Sequence, residues 1–118
     1  MSYNPPVDPF RLSNNPRMIQ NLFPDPLIIR SFPWKVFKTL CKISLINKSN
    51  FNKRVFNYPV IIFSGEEDPL TPPEHAQWFI KHIRSKDKTL RLVHRGKHEL
   101  LHEEESSDLW QIIKQWMD

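Results

Sequence analysis

Glycine is scarce in this chain of 118 residues: Gly65 and Gly96 are the only two, against eleven prolines. Because glycine normally supplies the left-handed backbone of tight turns, each of the two becomes informative. Cysteine is rarer still, since Cys41 stands alone and excludes an intrachain disulfide. Long apolar runs are missing as well. No stretch approaches the roughly 20 residues that a membrane-spanning helix needs. The opening residues, MSYNPPVDPF, lack the basic start and apolar core of a secretory signal. A cytoplasmic, reducing compartment is the expectation.

What is present has the balance of a globular protein, with 39% hydrophobic and 25% charged residues, and a length that suits one small domain. Charge divides it. Residues 1–58 hold nine Lys or Arg against Asp8 and Asp25, net +7, whereas residues 59–118 hold eight against eleven acids, net −3. Seven of the prolines fall in the first region, which is expected to form turns and short helices outside one periodic stretch. The chain therefore reads as a basic, Pro-rich region over 1–58 and an acidic region over 59–118.

The periodic stretch follows Pro33, a good first helical residue. Trp34, Phe37, Leu40, Cys41 and Leu45 recur on one face, while Lys35, Lys38 and Lys42 share another. This predicts a basic amphipathic helix over 33–46. The plain expectation is that its stripe packs on the chain's own core. The alternative is peripheral contact with an anionic membrane, lysines at the headgroups and aromatics beneath them. Nucleic-acid binding is not expected, because no exposed aromatics interleave with the lysines and no binding motif follows.

From Tyr58 onward the order is strand, helix, strand, helix. Val60-Ile61-Ile62-Phe63 is a continuous apolar run suited to a buried parallel strand, and it stops at Ser64-Gly65. Pro73 opens a helix with Ala76, Phe79, Ile80 and Ile83 at helical spacing, ending near Ser85. Thr89 to His94 alternates as a second strand, and Leu109, Ile112, Ile113 and Trp116 mark a last helix capped by Ser106 or Ser107. Connections of this length make the strands parallel neighbours. The fold class is therefore α/β.

Open α/β sheets place their chemistry at the carboxyl ends of strands. Asp68 lies on the turn after the first strand and His98 on the loop after the second. An acid and an imidazole so placed can meet, the carboxylate accepting the Nδ1 hydrogen and leaving Nε2 as a base. His98-Glu99-Leu100-Leu101-His102 also spells H-E-x-x-H, a zinc motif when helical, but Gly96 and the strand before it put His98 in a loop. No metal or cofactor is expected. His75, His82 and His94 read as surface residues, and Trp78, Trp110 and Trp116 as packing residues of amphipathic helices.

A strand followed by G-x-x-D-P, a helix, a strand and G-x-H some thirty residues after the acid has the shape of the last third of an α/β-hydrolase. With PVIIFSGEEDPLTPP and GKHELLHEE, residues 59–118 resemble the end of monoacylglycerol lipases and lysophospholipases of the serine-hydrolase superfamily. Residues 1–58, with DPF, NNPRMIQ and FPDPLIIR, resemble the cap region that precedes that end. The resemblance implies a partial α/β-hydrolase fold: two parallel strands with flanking helices, preceded by a mostly helical cap-like region. It implies Asp68 as catalytic acid, His98 as catalytic base, Gly65 as the turn releasing Asp68, and Glu103 or Glu104 as a helix-starting acid. It also implies a lipid-like acyl ester as the substrate of the intact enzyme.

The family's G-x-S-x-G nucleophile elbow cannot be formed from Gly65 and Gly96, and none of the serines has flanking glycines. The expectation is a truncated hydrolase, inactive alone, or a half that pairs with a complementary N-terminal half. Two strands by themselves would leave an unpaired apolar edge.

Overall fold

The computed structural model describes residues 2–3, 8–22, 24–50, 57–104 and 106–118. In the acidic region, β3 (Val60–Gly65) and β4 (Lys88–Val93) pair in parallel, from Val60 beside Lys88 to Gly65 beside Val93. Helix α3 (Pro73–His82) forms the crossover between them, and α4 (Ser107–Met117) follows. Glu74 in the first turn of α3 and Lys81 in the last complement the helix dipole. The helix ends at Ile83, whose extended backbone turns the chain towards β4 and buries its side chain. The βαβα order expected from the sequence is therefore observed.

The basic region begins with β1 (Ser2–Tyr3), which pairs antiparallel with β2 (Phe32–Pro33). Between them lie a short 3-10 turn, Pro9–Arg11, and helix α1 (Pro16–Leu22). Asp8 caps the turn by accepting from the Phe10 amide at 3.0 Å, and Asn15 caps α1 through its Oδ1. Helix α2 runs from Trp34 to Asn50. Pro33 belongs to β2 and does not open the helix, which extends four residues past the expected end at 46.

Burial departs from the expected packing. Among the described residues the buried hydrophobics are Ile19, Ile83 and Leu109, while the β3 residues from Val60 to Phe63 are only half-buried. A two-stranded sheet has too little area to cover its own helices. Trp78, Trp110 and Trp116 thus remain substantially exposed, contrary to their reading as packing residues. The stripe on α2 likewise does not pack on a core: Leu40 and Leu45 are exposed, as are Val36, Ile43 and Ile46 elsewhere on the helix. Trp34 and Phe37 meet edge to face at 5.4 Å. Among the described residues no helix is long and apolar enough to cross a membrane.

Candidate active site

The turn after β3 and the loop after β4 are knitted together by backbone hydrogen bonds. Glu66 donates its amide to the Val93 carbonyl at 3.1 Å, and Glu67 donates to the Gly96 carbonyl at 3.0 Å. Gly65 permits this approach. A Cβ at position 65 would overlap the Gly96 carbonyl oxygen and stand 2.5 Å from that of Lys97. Its backbone is not left-handed. Gly65 opens the turn, its carbonyl accepting the Asp68 amide at 3.4 Å, and its hydrogen side chain serves in addition the contact between the two loops. The left-handed position on the other loop is Arg95, with φ 54°, immediately before Gly96.

Asp68 is buried at 8% exposure, and its two carboxylate oxygens have separate partners. Oδ1 accepts from the amides of Leu70 at 2.8 Å and Thr71 at 2.9 Å, which locks the turn. Oδ2 accepts from His98 Nδ1 at 3.0 Å. Burial pushes the Asp68 carboxyl up, but hydrogen bonds from the Thr71 amide, the His98 ring and the Leu70 amide outweigh it. The net effect holds the carboxyl below its ordinary value. An ionised Asp68 selects the tautomer of His98 with hydrogen on Nδ1, so Nε2 carries the lone pair of a base.

The His98 side chain is 38% exposed, compared with 7% for that of Asp68, so the imidazole faces outward from a buried carboxylate. Thr71 Oγ1 lies 3.3 Å from His98 Nδ1, a contact that sequence reading did not anticipate. Both loops border a cavity of about 360 Å³ lined by Gly65, Asp68, Thr71, His75, Phe79 and His98, among others. His75, read from sequence as a plain surface residue, therefore reaches the edge of this cavity. A second acid–imidazole pair, Glu66 and His94 at 2.9 Å, sits at the same strand ends but is open to solvent.

The zinc reading of H-E-x-x-H lacks its helix. Residues 98–102 pass through a bend into the 3-10 turn Leu100–His102, which breaks the one-turn spacing that an α-helix would give the two histidines. His98 is engaged with Asp68, and His102 Nδ1 lies 3.3 Å from Glu99 Oε2. Glu103 does not start a helix. It closes the 3-10 turn, and its carboxylate accepts from the Asn14 amide, while α4 begins at Ser107 with no side-chain cap from Ser106. The sequence alone offered no sign of that partnership across the chain.

Residues 1–105 match the family described as serine aminopeptidase, S33. Monoglyceride lipase of Saccharomyces cerevisiae is 30% identical over 77 residues, which are 61% of this chain and 25% of that protein. The crystal structure of the monoacylglycerol lipase of Paleococcus ferrophilus superposes with a TM-score of 0.80 at 26% identity, over 98% of this chain and 45% of the other. A soluble variant of the Saccharomyces cerevisiae monoglyceride lipase, solved with a substrate analogue, superposes at 0.85 with 20% identity, over the whole of this chain and 43% of its own. The fold is thus that of a partial α/β-hydrolase, and the chain spans less than half the length of these relatives.

Proposed function

The chain belongs to the serine aminopeptidase S33 family, and on that premise we propose that it carries the acid and base of a serine hydrolase acting on acyl esters of lipid type. The substrate class, a monoacylglycerol or a lysophospholipid, follows from the name of the Saccharomyces cerevisiae relative and from the resemblance of its motifs. One observation carries the catalytic reading: the 3.0 Å hydrogen bond from His98 Nδ1 to a buried carboxylate whose other oxygen is held by two amides. In the intact enzyme a serine attacks the ester carbonyl. His98 takes its proton at Nε2 and returns it to the leaving alcohol, while Asp68 orients the ring and stabilises the imidazolium.

Residues 1–58 act in this reading as the cap-like region and 59–118 as the hydrolase end. The 118 residues contain no G-x-S-x-G, so the nucleophile comes from a complementary half that extends the sheet beyond β3. Alone, the chain is inactive. A second reading, a non-catalytic module on anionic lipid, is favoured by one observation: α2 presents exposed Leu40 and Leu45 beside Lys35, Lys38 and Lys42. A cytoplasmic location with peripheral membrane contact suits both.

The purified chain is expected to hydrolyse no short acyl ester and to resist a fluorophosphonate probe, which labels activated serine. Stoichiometric labelling of any serine would place the nucleophile within these residues and refute the assignment. Supplied with the nucleophile-bearing half of a monoglyceride lipase, the chain is expected to give esterase activity that His98→Ala removes. Activity indifferent to His98→Ala would overturn the role of the base.

A further inference from the structure

The loop that carries His98 is fastened from outside the βαβα unit. Glu99 donates its amide to the Leu12 carbonyl at 2.8 Å, and Lys97 Nζ donates to the Phe10 carbonyl, so the residues on both sides of His98 are tied to the same short segment. Asn14 Nδ2 donates to the Arg95 carbonyl at 2.9 Å, its amide donates to the Glu103 carboxylate at 3.1 Å, and Asn15 Nδ2 donates to the His102 carbonyl at 2.6 Å. The same segment reaches the acid loop, where Arg11 Nη2 donates to the Pro69 carbonyl at 3.0 Å. These partners are more than fifty residues apart in sequence, the segment lying in the basic region and both loops in the acidic one.

We propose that Arg11, Asn14 and Asn15 are positioning residues that hold the His98 loop against the Asp68 turn and so set the acid–base distance. This rests on the catalytic reading of that pair. The need for it is geometric: Asp68 is locked by its own turn, whereas His98 sits on an exposed loop and must be kept in register with it. A displacement of about 1 Å at a reacting group can cost on the order of a hundredfold in rate.

Asn15 is chemically specific for this task. Its Oδ1 caps α1 by accepting from the Arg17 amide at 2.9 Å and the Met18 amide at 3.4 Å, while its Nδ2 donates away from the helix to His102. Buried Ser13 fixes the turn by accepting the Asn15 amide at 2.9 Å. Aspartate would cap equally well but has no hydrogen to donate. Asn15→Asp therefore separates the helix cap from the bond to the His98 loop, and Asn14→Asp removes the bond to the Arg95 carbonyl.

The experiment is NMR on the full 118-residue chain labelled with 15N, following the His98 Nδ1 proton, identified by its loss in Asp68→Asn. In the Asn14→Asp/Asn15→Asp double variant that proton is expected to exchange with water about tenfold faster, because the local hydrogen bonds that hold the loop closed are lost. The Arg17 and Met18 amides are expected to keep their protection because the cap remains. Arg11→Gln, a surface change that spares the His98 loop, is expected to raise exchange by a smaller factor and decides the matter if the double variant unfolds. An Nδ1 proton unmoved in the folded double variant, or in Arg11→Gln should the double variant unfold, refutes the positioning role while leaving the acid–base pair intact. A parent chain in which Asp68→Asn removes no such proton refutes the pair itself, and the positioning role with it.

Discussion

Substituting Gly65 by alanine tests the contact on which the site geometry depends. The new methyl carbon would stand 2.5 Å from the Lys97 carbonyl oxygen and 2.6 Å from the Gly96 carbonyl carbon. A comfortable carbon–oxygen separation is about 3.3 Å, so the loops must part by roughly 1 Å. The obstacles are backbone atoms, which cannot rotate away. Overpacking of this kind costs about 1–3 kcal/mol. The displacement also stretches the 3.0 Å bond from the Glu67 amide to Gly96, worth about 1 kcal/mol. Against this, alanine restricts the unfolded chain and returns about 0.4–1 kcal/mol. The net expectation is a loss of about 1–3.5 kcal/mol, read as a lower urea midpoint at unchanged slope. Gly96→Ala provides the contrast, since its methyl would meet the end of the Leu100 side chain at 2.6 Å, which can turn aside, and the Val93 Cγ1 and Cβ at 3.0 and 3.1 Å, which must give by only a few tenths of an ångström. Its loss is expected to be about 1 kcal/mol or less. Equal effects at the two sites, or a stabilised Gly65→Ala, would refute the close-approach account.

Three further outcomes follow from the same geometry. Because Asp68 is held below its ordinary carboxyl value when folded, the unfolded chain binds more protons between the two values. Its contribution to stability is therefore complete above the ordinary value of 3.8 and is lost as pH falls through the folded one; Asp68→Asn should flatten that acid limb in urea titrations, and an unchanged limb would refute it. Arg95 holds φ 54°, at a cost of about 1–2 kcal/mol for a side chain, so Arg95→Gly is expected to raise the urea midpoint by the equivalent of about 0.5–1 kcal/mol, and a destabilised variant would show that the side chain compensates. Vesicle cosedimentation tests α2: each lysine near an anionic surface contributes about 1 kcal/mol, so Lys35, Lys38 and Lys42 changed together to Gln should abolish most low-salt binding, and equal binding by both chains would remove the lipid-surface reading.

Over residues 59–118 the elements and their order were legible in the chain itself, whereas the β1–β2 pair of the basic region was not. The continuous run Val60–Phe63 and the alternation before Gly96 located two strands, and Pro73 with its helical spacing located the crossover, because these signals are local and each residue reports its own neighbourhood. Parallel pairing then followed from connection length, and with it the placing of Asp68 and His98 at adjacent strand ends. Contacts between distant parts of the chain account for the remainder. The service of Gly65 to a contact between loops, the pairing of Glu103 with Asn14, and the fastening of both loops by residues 10–15 join parts far apart in the chain, and such bonds leave no periodic trace. The exposure of α2 and of Trp78, Trp110 and Trp116 was likewise invisible in sequence: an apolar stripe records a face fit for burial, but only the area of the sheet it meets decides whether it is buried.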